Sequence, residues 1–186
     1  MIYETDTNRV LVWDNAAWVM IADTDTPPAL ELVKTQTIGS AVASVTVTDA
    51  FSATYDNYKI TINGGSASTA LDIRCTLGSA TSGYYGFIVY GAYNSNTVLG
   101  FAQNNTAFWG YVGTGNTILH GSFELSNPFA STRTTVVASN ALSLTTGSAN
   151  QFGGYLNDSN SYTSFTLTAS TGTMTGGTIR VYGYRN

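Results

Sequence analysis

Three residues on one stretch have the types a hydrolase would use. In Ile118-Leu119-His120-Gly121-Ser122-Phe123-Glu124-Leu125 the alternation puts His120, Ser122 and Glu124 on one polar face. A nucleophile, a base and a carboxylate make an acyl-transfer site only when they converge on one substrate atom. Side chains two apart on a strand point in parallel and do not converge. No G-x-S-x-G elbow accompanies them. Paired carboxylates would be needed for glycoside hydrolysis. The candidates Asp56, Asp72, Glu124 and Asp158 lie at turns or on outward strand positions beside Lys, Arg or Asn. The expectation is no catalytic residue. Asp23-Thr24-Asp25 lacks the glycine and terminal glutamate of a calcium loop. One histidine and one cysteine make no zinc set, so no metal and no cofactor is expected. Cys75 falls on the apolar side of Leu71-Asp72-Ile73-Arg74-Cys75-Thr76-Leu77, as a small core residue.

Binding chemistry is better represented than catalysis. Tyr84, Tyr85, Tyr93, Trp109, Tyr111 and Tyr155 occur among Asn94, Asn96, Asn104 and Asn105. Flat apolar rings beside amide donors and acceptors are what a sugar site uses. Trp109 and Tyr111, two apart after an Asn104-Asn105 turn, are the glycan contacts this pattern nominates. The alternative is that the aromatic rings fill the core and the asparagines make turns.

The elements that would hold these residues are all strands. Of 186 residues 10% are charged, 43% hydrophobic and 12% aromatic, with three prolines. Thr, Tyr and Val favour strands, while Gly and Asn favour tight turns. Strands are expected at 30–38, 42–48, 58–62, 71–77, 84–93, 98–103, 108–112, 118–125, 134–138, 143–145, 163–169 and 178–184. Turn signals recur about every ten residues, as in an antiparallel β-sandwich, and the jelly-roll type is the expected one. No repeat of fixed period is present, which argues against a propeller or solenoid.

The N-terminus reads differently. Met1-Ile2-Tyr3, Val10-Leu11-Val12-Trp13 and Trp18-Val19-Met20-Ile21 form three short strands, broken at 5–8 and 14–17. The second and third do not alternate, so they are apolar on both faces. Three such strands are marginal alone. Residues 23–29, DTDTPPA, read as a stiff, solvated linker. The division expected is therefore 1–28, an N-terminal docking or trimerisation module with its linker, and 29–186, the sandwich. Phe87, Val89 and Tyr93 face one way in the 84–93 strand, and Ile88, Tyr90 and Ala92 the other. Such a two-sided strand needs cover on its outer side, from a loop or from a neighbouring subunit, and the subunit is the expected one. The interface set is Tyr3, Val10, Val12, Trp13, Trp18, Val19, Ile21, Phe87, Val89 and Tyr90.

Charge narrows the partners. The net charge is −4, and the seven Lys and Arg residues are scattered, which argues against nucleic acid. Glu4, Asp6, Asp14, Asp23, Asp25 and Glu31 face only Arg9 in the first 31 residues. Two readings stand: a solvated set of turns, or an acidic foot that docks on a basic partner. No apolar run approaches the ~18 residues of a membrane span, and no basic-then-apolar leader opens the chain.

YETDTN, then RVLV, a turn, and AW-V resemble a short motif of tail fibres and other virion proteins of tailed bacteriophages. YDNYKITI at 55–62, NPF at 127–129 and GTIRVYGY at 177–184 are similar to stretches of small phage β-sandwich domains. The resemblance implies a non-enzymatic virion structural protein, homotrimeric and exposed on the virion surface, made in the host cytoplasm. Its partners would be its own copies and another virion protein, such as the major capsid protein or a tail protein. Two roles follow. A capsid decoration (cement) protein bridges capsomers, and the short chain without a separate anchoring domain favours it. A small tail fibre or adhesion protein binds a host-surface glycan, and the fibre-like motif favours that.

Overall fold

The computed structural model describes residues 1–4, 9–23, 29–142 and 147–185. The chain is all-β, and every strand pairing is antiparallel. The first three strands, β1 (Ile2–Glu4), β2 (Arg9–Trp13) and β3 (Trp18–Asp23), make a sheet of their own. The next strands are β4 (Leu30–Thr37), β5 (Ser44–Val47), β6 (Asn57–Asn63), β7 (Ser66–Ala67) and β8 (Leu71–Leu77). Then come β9 (Tyr84–Ala92), β10 (Val98–Thr106), β11 (Trp109–Gly115), β12 (Leu119–Ser126) and β13 (Thr134–Leu142). The last are β14 (Ser148–Leu156), β15 (Phe165–Ala169), β16 (Met174–Thr175) and β17 (Thr178–Tyr184).

Pairing separates the body into two layers. One runs β4-β17-β6-β12-β13-β14-β9-β10, and the other β5-β15-β8-β11. The short pair β7–β16 stands apart. A hairpin joining β11 to β12, with Gly115 opposite Leu119, links the layers at one corner. The long layer therefore overhangs the short one. Its overhang, β13-β14-β9-β10, comes from two separate excursions of the chain. One lies between β8 and β11, the other between β12 and β15.

Alternation explains the core. Leu71, Ile73, Cys75 and Leu77 point inward from β8, as do Tyr58, Ile60 and Ile62 from β6 and Phe165 and Leu167 from β15. Phe123 and Leu125 from β12 and Ile179 and Val181 from β17 point inward beside the β6 residues, facing β8 and β15. Burying a side chain of this size contributes about 1.5–3 kcal/mol. Two buried tyrosines satisfy backbone groups where connections leave the sheets. Tyr84 Oη accepts the Leu77 N–H at 2.7 Å, and Tyr58 Oη accepts the Ser52 N–H at 2.8 Å. Leaving such a donor unpaired in the core would cost about 1–3 kcal/mol.

Most of the expected strands are present with ends shifted by a few residues. Three strands stand outside the expected set: the two-residue β7 and β16, and β14, which carries the centre of the overhang. The strand expected at 143–145 lies outside the described residues. So do the turn at 5–8 and linker residues 24–28.

Candidate functional site

At the edge of the overhang β10 meets the outer side of β8 and β11. Between them is a cleft of about 240 Å³, lined by Asp72, Arg74, Phe101, Gln103, Phe108 and Tyr111 among others. Each element delivers its side chain for a local reason. Asp72 and Arg74 alternate with the inward Ile73 and Cys75, so both stand on the outer face of β8. Arg74 lays its guanidinium 4.3 Å over the Phe108 ring. Phe101, half exposed, meets Tyr111 edge to face at 6.4 Å. Gln103 is buried, and its Oε1 accepts the Gly110 N–H at 3.0 Å, tying β10 to β11.

Irregular backbone shapes the cleft. Trp109 pairs with Cys75 and Gly113 with Ile73, so three residues of β11 bulge opposite Arg74 alone. Tyr111 sits in that bulge with a φ of 64°, the left-handed region that bulky side chains rarely adopt. Asn105 has a φ of 54° and spends its Oδ1 on the Gly83 N–H at 3.0 Å. Non-glycine residues in this conformation cluster at functional sites.

The electrostatics are unusual for an exposed strand face. Asp72 Oδ1 is shielded from solvent and, among the described residues, has no hydrogen-bond partner. That burial raises the carboxyl pKa, and the Arg74 charge offsets the rise only in part. Tyr111 is also raised, first by burial and then by the Asp72 carboxylate. One anion, one cation, a phenol and two aromatic rings thus share one small concavity.

The nominated glycan contacts need correction here. Trp109 is fully buried rather than exposed. Its ring meets Tyr84 edge to face at 5.0 Å, and its Nε1–H donates to the Tyr155 carbonyl at 3.4 Å. Gly154 leaves room for it: a Cβ there would stand 3.3 Å from Nε1 and 2.3 Å from the Tyr85 carbonyl oxygen. The bulge turns Tyr111 into the cleft, whereas Trp109 points into the core. Asn104 and Asn105 are exposed but belong to the end of β10 rather than to a separate turn. The aromatic lining is instead Phe101, Phe108 and Tyr111. Asp72 and Arg74 were legible as outward-facing residues, but their meeting with β10 depends on a long-range approach that no local pattern encodes.

Two apolar surfaces carry the nominated interface residues. In the N-terminal sheet Trp13, Trp18, Val19 and Ile21 are exposed, and Val10 and Val12 are half-buried. The Tyr3 backbone pairs with Val10, while its side chain lies outside the described residues. The second surface is the outer face of the overhang. Phe87 and Val89 are exposed there with Val98 and Val137, and none of its outward positions in β9, β10, β13 and β14 is charged. Tyr90 does not belong to that face, because it alternates with them and packs partly against the core.

His120 is partly buried on β12, opposite Asn63 and Thr114, and burial lowers its pKa. Glu124 accepts the Tyr184 hydroxyl at 2.6 Å and lies 3.8 Å from Lys59. His120 and Glu124 thus look to different neighbours. Asp158 accepts from the Tyr162 hydroxyl. Among the described residues no three His, Cys, Asp or Glu side chains gather as a metal-ligand group.

No family model and no curated protein matches the chain. Among solved structures, one of the infectious bursal disease virus Gt strain aligns over 98% of this chain and 49% of its own, at 9% identity and a TM-score of 0.16. The infectious bursal disease virus VP2 subviral particle aligns over 95% and 45%, at 10% identity and a TM-score of 0.15. The chain spans about half the length of these proteins. Scores that low do not establish a common fold.

Proposed function

We propose that this chain is a non-enzymatic structural protein of a tailed-phage virion, homotrimeric and exposed on the particle surface, with capsid decoration as its role. The observation that carries the reading is the state of the N-terminal sheet. Trp18, Val19, Met20 and Ile21 are consecutive, alternate between the two faces of β3, and are all 43–58% exposed. Neither face is covered by the rest of the described chain. A three-stranded apolar sheet in that state is a docking element. The phage-like motif occupies the same residues.

The topology fits the role. The order β4-β17-β6-β12 facing β5-β15-β8-β11, with the chain crossing between layers at every step of that set except from β8 to β11, supports the finer reading as a jelly roll. That architecture recurs in viral capsid domains. The outer face of the overhang, whose strand positions carry no charge and which Arg133 flanks over the Tyr155 ring, supplies a second contact for neighbouring copies. In this reading the protein is made in the host cytoplasm and docks on the major capsid protein through the acidic N-terminal module.

Counting copies per purified particle tests the proposal. A number matching the capsomers is expected. A number matching the tail fibres would replace decoration with the adhesion role, and absence from particles would end both.

A further inference from the structure

We propose that the cleft between β10 and the outer side of β8 and β11 binds a neutral saccharide unit, held by Asp72, Arg74, Phe101 and Tyr111. The inference rests on the cleft alone and stands wherever on a particle the protein sits.

The argument starts from Asp72. A carboxylate oxygen shielded from water and left without a partner is costly, and a nearby Arg74 would ordinarily relieve it. Arg74 is instead stacked on Phe108 at 4.3 Å. Oδ1 itself is closed to solvent and so to a ligand, but Oδ2 of the same carboxylate is not shielded in this way, and it is the acceptor that a donor arriving through the cleft would meet. Tyr111 is fixed beside it in a left-handed conformation, which the Gln103–Gly110 hydrogen bond helps to maintain. Strained backbone, an unsatisfied buried acceptor and a concavity coincide at one place.

The set of groups selects the ligand class. A purely cationic ligand would meet Arg74, and a purely anionic one would meet Asp72. The cleft carries both charges, so a neutral ligand rich in hydroxyls fits best. One hydroxyl donates to Asp72, and a neighbouring one accepts from Arg74. The half-exposed Phe101 ring and the edge of Tyr111 offer an apolar wall to the C–H face of a sugar ring. A few placed polar groups on an aromatic lining is the usual composition of a small-molecule site.

The full-length protein labelled with nitrogen-15 should be titrated with methyl glycosides of glucose, galactose, mannose and N-acetylglucosamine. Glucuronate and glucosamine serve as charged counterparts, and an array of immobilised neutral glycans runs in parallel. Saturable shifts at the Asp72, Gly110 and Tyr111 amides, or array binding, are expected for at least one neutral sugar. Asp72→Ala and Phe101→Ala should each weaken binding by about tenfold or more, the effect of losing ~1.4 kcal/mol. Tyr93→Ala, which removes an aromatic ring 80% exposed outside the cleft, should leave it unchanged. Circular dichroism of each variant separates lost binding from lost fold, and Asp72→Asn gives a second, isosteric removal of the charge. No cleft shift and no array binding with any neutral sugar overturns the proposal. So does preference for the charged sugars, or binding that survives Asp72→Ala and Asp72→Asn.

Discussion

Trp13 and Trp18 are direct cross-strand partners, and their rings meet edge to face at 5.6 Å while each remains nearly half exposed. The turn between them is well specified. Asp14 Oδ1 accepts the Ala16 and Ala17 N–H groups at 2.9 and 2.7 Å, and Asn15 takes a φ of 79°. A pair fixed this firmly and left open on its outer side suits an aromatic anchor for a partner. Trp18→Ser is therefore expected to shift the proposed trimer toward monomer, by about 2 kcal/mol or more per interface. Sedimentation at low micromolar concentration, parent against variant, reads the change.

Removal of residues 1–28 should leave the sandwich folded. The body pairs its own strands from Leu30 onward, and Arg185 N–H returns to the Ala29 carbonyl at 3.1 Å. Far-ultraviolet circular dichroism of the shortened chain should keep its β-sheet signal. Incorporation into particles should be lost, and undiminished incorporation would remove the docking role from the N-terminal sheet.

Gly153 points from β14 to the outer face of the overhang, and a Cβ there would meet nothing within 4 Å. Gly153→Glu is thus expected to leave the single chain folded, with a melting temperature close to the parent's. A charge at the centre of a face whose strand positions carry none should still weaken contact between copies, because desolvating it is unfavourable. Sedimentation and thermal melting together check both halves of the statement.

Trp109→Ala should behave as a core mutation. Emptying a buried tryptophan site costs roughly 3–5 kcal/mol, which lowers the melting temperature on the order of 10 °C for a domain of this size. Thermal unfolding followed by circular dichroism measures it. A variant as stable as the parent would contradict the buried position.

The pH dependence has two opposed contributions. Asp72 has a folded pKa above its ordinary 3.8, because burial penalises the charge. The folded protein therefore holds that proton longer than the unfolded chain, and stability falls as pH rises from 3.8 through the raised value. Asp72→Asn removes the effect and should melt higher than the parent at pH 7. For His120 burial lowers the folded pKa below 6.5. The unfolded chain then takes the proton first, so stability is lost as pH falls from 6.5 through the lowered value. His120→Gln should flatten that part of the profile in melting curves taken across it.

What the sequence disclosed follows from how local each signal is. β8 and β17 alternate cleanly, and reading them needs nothing beyond period two. β14 is not legible, because Ser148-Ala149-Asn150-Gln151-Phe152-Gly153-Gly154-Tyr155-Leu156 contains two glycines and few strand formers. It is a strand because β9 and β13 pair with it along its whole length. Tertiary pairing there overrides weak propensity. The region of the cleft is legible as an aromatic and asparagine cluster, but which of its rings faces the cleft is not. Period two puts Trp109 and Tyr111 on one face, and the bulge that separates them is invisible to it. Asp72 and Arg74 became part of the site only through pairing between β8 and β11, more than thirty residues apart in the chain.

The overhang has a consequence for how this architecture can vary. Its four strands arise from two hairpins inserted at different points of the chain, and each completes the other through the β9–β14 seam. Neither is a self-sufficient insertion. Deleting β13 and β14 alone would strip β9 of a neighbour and open the side of Trp109, while deleting β9 and β10 alone would bare the edge of β14. The two hairpins are thus a matched cassette, to be gained, lost or exchanged between scaffolds as a unit. An engineer grafting a new surface onto this body should transplant both or neither.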